Sequence, residues 1–155
     1  MLVLALLIIL SFQQVSFAKE DLKRPPKPTE GIESSDPKHG SSIEISIKSI
    51  QGDLFYKYNC TIDNTGTELY IGGITSANYL ADKVSLTLYL QKWNGLQWVD
   101  IQSWSFTEYN TKSIIEGEEI SYEQGNYYRA RATHSINFDS QTETQTSTST
   151  YIYVE

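Results

Sequence analysis

The sequence is poor in the residues that most often carry chemistry or covalent bracing. Its 155 residues include one cysteine, two histidines, one methionine and four prolines. A lone thiol, Cys60, rules out an internal disulfide, and with only two histidines beside it no zinc set can be assembled. No Gly-x-Ser-x-Gly, His-Glu-x-x-His or glycine-rich phosphate loop is present. Basic residues number 12 against 19 acidic, a net charge of −7. That sign argues against a nucleic-acid partner, whose phosphates are met by clustered Lys and Arg, and offers no pull toward anionic lipid. After residue 18 no amphipathic helical period occurs anywhere. No cofactor and no metal are expected.

What the chain does have begins with one long apolar run, MLVLALLIILSFQQVSFA over residues 1–18. Its length suits the apolar region of a signal peptide better than a membrane span, and Ser16 and Ala18 place small residues before a cut after Ala18. No Lys or Arg precedes the run: either the start lies further upstream or the positive segment is missing. The alternative is an N-terminal anchor that stays in the membrane. The expected location is secreted, with no membrane attachment after cleavage. A secreted chain with one thiol fits a Gram-positive bacterial exporter better than an animal module stapled by disulfides. Cys60 shares parity with Leu54, Tyr56, Tyr58 and Ile62 and is expected to be buried and inert. Asn59-Cys60-Thr61 matches a glycosylation acceptor only formally. Residues 19–42 hold all four prolines and almost no apolar side chain, which predicts a disordered Pro-rich linker with His39 solvated and not catalytic.

From residue 43 onward the pattern is alternation. IEISIKSI predicts a first strand, residues 54–62 a second, and ELYIGGI a short third, bent or bulged at Gly72-Gly73. Residues 76–83 read as a loop or a single helical turn. Then VSLTLYLQKW, Asn94-Gly95 and LQWVDIQSWSF predict a hairpin closed by a two-residue turn. Pairing Trp93 with Leu96 puts Val84, Leu86, Leu88, Leu90, Val99 and Ile101 on one face and Tyr89, Trp93, Trp98 and Trp104 on the other. TEYNTKS reads as looser chain, and Glu116-Gly117-Glu118-Glu119 as a solvated turn without cation-loop spacing. In residues 127–137, Tyr128, Ala130, Ala132, His134 and Ile136 share a face. Threonines at 142, 144, 146, 148 and 150 continue in parity through Ile152 and Val154, which predicts one long final strand. The domains are therefore a signal peptide at 1–18, a linker at 19–42 and a β-domain at 43–155. The fold class is all-β, an antiparallel immunoglobulin-like β-sandwich of about seven strands, with a closed barrel as the alternative.

The run Gly125-Asn126-Tyr127-Tyr128-Arg129-Ala130-Arg131-Ala132-Thr133-His134 resembles the penultimate strand of fibronectin type III and other immunoglobulin-like domains. Together with LYLQKWNGLQWVDIQSW and the Ser/Thr-rich final strand, it is similar to a group of small secreted proteins of Gram-positive spore-forming bacteria. The resemblance covers residues 84–155 and implies fold and export; it brings no catalytic or binding residues with it.

Chemistry has few candidates. His134 is the only histidine in the β-domain and falls on an apolar face, where a hydrogen-bonded core side chain is expected rather than a base. Glu108, Glu116, Glu118, Glu119 and Glu143 are candidates for a carboxylate pair only by their presence. The positive lead is the aromatic row, Tyr89, Trp93, Trp98 and Trp104, beside Gln91, Asp100 and Gln102. Such rings either pack as core or stack on a sugar or a protein partner. The expected function is a secreted, non-enzymatic, monomeric binding module whose partner is a cell-wall polysaccharide or a surface protein. The alternatives are a small carboxylate-dependent hydrolase and an exported factor in competition between bacteria.

Overall fold

The computed structural model describes residues 24–42, 45–46 and 54–155. The expected signal peptide and most of the expected strand over 43–50 lie outside them. Among the described residues there are eight strands and no helix: β1 (His39–Ser41), β2 (Ile45–Ser46), β3 (Phe55–Asn64), β4 (Leu69–Trp93), β5 (Trp98–Ile120), β6 (Asn126–Phe138), β7 (Gln141–Thr148) and β8 (Ile152–Val154). Every pairing between them is antiparallel.

The architecture follows from the length of β4. Its 25 residues, at ~3.3 Å each, would run roughly 80 Å if straight, far beyond a domain of this size, whose radius of gyration is about 15 Å. The strand therefore turns a corner. Its register against β5 slips between Ser76 and Ala81, the small side chains of Ala77 and Ala81 are buried there, and Asn110 on β5 adopts a φ of 52°. β5 follows β4 around the corner along one edge. The other edge is divided, β3 pairing with residues 69–77 and β6 with residues 83–92. β4 thus belongs to two layers, one continuing through β3 to β1 and β2, the other through β6 to β7 and β8.

The layers meet over one core. Val84, Leu86, Leu88 and Leu90 of β4 and Tyr128, Ala130, Ala132 and Ile136 of β6 are buried together with Phe55, Tyr58, Cys60 and Ile62 of β3. Tyr58 and His134 bring their rings to 5.2 Å, and the Cys60 thiol lies 3.7 Å from the Ala130 carbonyl. At the far edges, the Thr150 N–H donates to the Ser41 carbonyl at 3.0 Å, and the sheet nearly closes on itself. The fold is an all-β, antiparallel, sandwich-like one, as expected from the alternation. On β6 the alternation is residue for residue: 128, 130, 132, 134 and 136 face in and 129, 131, 133, 135 and 137 face out.

Several local expectations need correction. Residues 76–83 are neither loop nor helical turn but the corner of β4, and residues 107–113 continue β5 around it. Gly72-Gly73 is not a bulge: the register through it is regular. A Cβ on Gly73 would sit 2.9 Å from Leu88 and 3.1 Å from the Asn59 carbonyl, so this glycine admits the core. Gly72 and Gly117 pair across the strands, and the Tyr70 ring lies over both, its hydroxyl 2.2 Å from where a Gly117 Cβ would be. That ring accounts for the glycine at 117, and Glu116-Gly117-Glu118-Glu119 is strand rather than turn, paired residue by residue with Gly73 back to Tyr70. The final run is two strands. Thr148 opposes Arg131 and Ile152 opposes Tyr128, so the register moves by one between them, leaving threonines outward on β7 and Ile152 and Val154 inward on β8. At the break Tyr151 turns to the N-terminal segment, its N–H donating to the Ile32 carbonyl at 2.9 Å.

That contact also corrects the linker. Residues 24–42 are packed, not free: Ser34 N–H donates to the Tyr151 carbonyl, Glu33 forms a parallel bridge with Tyr151, and β1 pairs with β3. His39 is within β1, its Nδ1 at 2.5 Å from the Asp63 carboxylate. The prolines stiffen this strap; its backbone groups, Arg24 and His39 find partners on the sandwich, while Lys27 and Glu33 pair within the strap, which composition does not reveal.

The Tyr70 contact yields a test. Gly117→Val should lower the urea midpoint by the equivalent of about 1–3 kcal/mol despite the β-propensity of valine. Adding Tyr70→Ala to the same chain should remove most of that penalty, a coupling measurable as a double-mutant cycle.

Candidate functional site

The hairpin that carries the aromatic row is closed differently from the expected two-residue turn. Trp93 pairs with Trp98, not Leu96. The Asn94 side chain accepts from the backbone N–H groups of both Leu96 and Gln97, each at 2.9 Å, and only Gly95 takes a positive φ, at 97°. The side-chain cap stabilises a four-residue loop in place of the type I′ turn. A second shift follows, for Gln91 opposes Asp100 but Leu90 opposes Gln102. Ile101 is the extra residue of a bulge, and from there to the corner the β5 side chains change face.

The row is consequently split. Tyr89, Trp93 and Trp98 stay on the outer side of the sheet, whereas Trp104 opposes Leu88 and packs, with Phe106, against the main core. Val99 and Ile101, expected in the core, are 37% and 46% exposed. Trp93 is 2% exposed and belongs to a second cluster with Tyr127 and Tyr151, against which Trp98 and Tyr153 are packed. Its indole N–H has no hydrogen-bond partner among the described residues. Trp98 packs edge-on to Trp93 at 5.4 Å.

The strap covers this second cluster. Trp98 donates its indole N–H to the Glu30 carbonyl at 3.0 Å. Arg24 donates Nε–H to the Tyr127 hydroxyl at 2.8 Å and places its guanidinium 4.0 Å from the Tyr153 ring centre. Lys27 pairs with Glu33 at 2.6 Å, which raises the Lys27 ammonium above its ordinary value, chiefly through that hydrogen bond.

Beside the cluster lies a polar network. Arg129 stacks on Trp98 at 4.4 Å and Arg131 on Tyr89 at 3.9 Å. Gln91 donates to Asp100 at 2.7 Å and accepts from Arg129 at 2.6 Å, and Arg131 reaches the other Asp100 oxygen at 2.8 Å. Next to Tyr89, Asp100, Gln102 and Ser103 line a shallow depression of about 470 Å³.

Beyond Tyr89 the register produces a feature that the sequence alone did not show. Ser105, Thr87, Thr133 and Thr146 stand side by side across β5, β4, β6 and β7, and Thr107, Ser85, Ser135 and Thr144 form the adjacent row. These are outward positions. Thr87 and Ser105 share a hydrogen bond at 3.0 Å, as do Ser85 and Thr107 at 3.2 Å. Each strand carries its hydroxyls at the parity that alternation makes visible; what was missing was the register that brings four strands into rows.

His134 is fully buried, with Nδ1 at 2.8 Å from the Thr75 hydroxyl and Nε2 at 2.8 Å from the Ser147 hydroxyl. Burial lowers its pKa to about 4, so it is neutral at pH 7 and sealed from solvent. Burial likewise pushes the Cys60 thiol above its ordinary value. Glu143 accepts from the Leu54 N–H at 3.0 Å, while Glu108, Glu116, Glu118 and Glu119 are strung along β5. The Ser34 hydroxyl donates to the His39 backbone carbonyl rather than to its ring. Among the described residues no three His, Cys, Asp or Glu side chains gather as a metal set, and no helix is long and apolar enough to cross a membrane.

Comparison with protein-family models, curated proteins and solved structures finds no match for this chain.

The buried imidazole makes stability pH-dependent. Its folded pKa lies below the unfolded value near 6.5, so the unfolded chain binds the proton more readily. Stability from this group is complete above pH 6.5 and is lost as the pH falls toward 4, by about 3 kcal/mol. Urea midpoints measured from pH 7 to pH 4 should show that loss in the wild type and a correspondingly shallower one in His134→Gln.

Proposed function

We propose that the protein is an exported, non-enzymatic binding module that applies the outer face of β5, β4, β6 and β7 to a cell-wall polysaccharide. The observation that carries this reading is the pair of uncharged hydroxyl rows ending at Tyr89, Arg131 and Asp100. A polysaccharide chain offers hydroxyls that both donate and accept at regular intervals, and Ser and Thr hydroxyls do the same. Tyr89 supplies a flat ring at the end of the rows, and Arg131 and Asp100 supply fixed polar geometry beside it. The rows themselves carry no charge, so they select neither phosphate nor ammonium.

Export rests on the apolar run at residues 1–18 and on the resemblance of residues 84–155 to small secreted bacterial proteins. The absence of catalysis is supported by how the reactive groups are used: His134 and Cys60 are enclosed, and Glu143 is committed to a backbone N–H. Trp93 and Trp104 serve packing in this reading, Trp98 is engaged by the strap and by Arg129, and Tyr89 remains at the face.

Retention on purified Gram-positive cell walls tests the proposal. Tyr89→Ala with Arg131→Ala should reduce it by at least about tenfold, equivalent to ~1.4 kcal/mol. Thr133→Val with Thr146→Val, which keeps the branched shape and removes the hydroxyls, should also weaken it. Equal retention of both variants and wild type, or no retention of the wild type, would overturn the assignment.

A further inference from the structure

The strap does more than cover aromatic rings. Between it and the end of the sandwich lies a cleft of about 590 Å³, within the ~300–1,000 Å³ usual for small-molecule sites. One wall is the strap from Arg24 to Lys38; the others come from the β3–β4 turn, the β5–β6 loop and β8. None of the positions expected from the sequence belongs to it.

Its lining is chemically even-handed. Arg24 and Lys38 are balanced by Glu33 and Glu155, and Arg24 is already drawn to Glu33 at 3.9 Å. A net anion or cation gains little in such surroundings. Three tyrosines line it: Tyr151 is buried, Tyr153 has the Arg24 guanidinium 4.0 Å over its ring, and Tyr122 is the ring that carries neither constraint. Tyr122 is pinned by donating its hydroxyl to the Gly66 carbonyl at 3.1 Å, and Tyr153 is held from behind by Tyr127 at 4.9 Å. Asn64 uses its carbonyl oxygen to accept from the Gly66 N–H at 2.9 Å, a bond that fixes the amide and orients its NH₂ group as a donor. Gln124 adds a second side-chain amide at the rim. A fixed tyrosine ring, side-chain amides and cancelled charge are what a polyhydroxylated, uncharged ring needs: stacking on its C–H face and paired hydrogen bonds at its edge.

We infer that this cleft binds a short neutral saccharide, with the strap as one of its walls. The site is separate from the hydroxyl rows and does not depend on them. Titration calorimetry of the protein with the N-acetylglucosamine trimer, cellotriose and maltotriose should detect binding of at least one. Tyr122→Ala should weaken that binding by about tenfold or more. Because Tyr122 also touches the core, Gln124→Ala at the exposed rim provides the second variant and should cost about threefold. On addition of the bound trimer, backbone amide shifts should concentrate at Asn64, Tyr122 and Gln124 rather than at Thr87, Thr133 and Thr146, which separates binding in the cleft from binding on the polysaccharide face; shifts confined to the latter would overturn the inference. Absence of binding to all three trimers, binding indifferent to both Tyr122→Ala and Gln124→Ala, or tighter binding of a trigalacturonate control than of any neutral trimer would overturn the inference.

Discussion

Everything in this molecule depends on a backbone constraint: β4 must satisfy two edges over 25 residues while remaining inside one small domain. The corner at Ala77 and Ala81 resolves it. By bending rather than breaking, β4 keeps β5 hydrogen-bonded along one side and hands its other side first to β3 and then to β6. The two layers are thereby joined by continuous chain at one end, and Thr150 with Ser41 brings their far edges together. The interior that results is enclosed enough to leave His134 neutral and Cys60 unreactive to solvent, so a deep polar trio of Thr75, His134 and Ser147 becomes part of the packing instead of a reaction centre.

Position within an alternating strand was legible wherever the strand is regular. Val84, Leu86, Leu88 and Leu90 could be placed inside, and Arg129, Arg131 and Thr133 outside, from period alone. What alternation cannot supply is an offset. Asn94 capping two N–H groups and Ile101 standing unpaired are local choices of hydrogen bonding, and they moved Trp104 from the aromatic row into the core while leaving Val99 and Ile101 at the surface. The same limit hid the hydroxyl rows, which exist only once four registers are combined. Glycine was misleading for a related reason. Gly72, Gly73 and Gly117 occur where a ring or a core side chain needs the room, not where the chain turns.

The N-terminal strap illustrates a different limit. Prolines and charges in a short polar segment are the composition of a tether, yet here each element has a counterpart on the folded surface: a guanidinium for two tyrosine rings, a carbonyl for an indole N–H, and backbone groups for Tyr151. Burial of aromatic rings offsets the entropy of ordering the strap. Any function at this end of the sandwich therefore involves the strap as structure, and the cleft beside it exists only because the strap is docked.

Among the described residues β5 pairs with a single neighbour, so a 23-residue strand offers an open hydrogen-bonding margin. Such a margin is a template for fibrillar stacking when chains are crowded. Here it is interrupted twice, by the unpaired Ile101 and by the left-handed backbone of Asn110, and it carries carboxylates at 100, 108, 116, 118 and 119. The straight, uncharged length left between the two interruptions is short, residues 102–107, and the irregularities that defeat a simple reading of the hairpin also shorten the edge on which a second copy could lie in register.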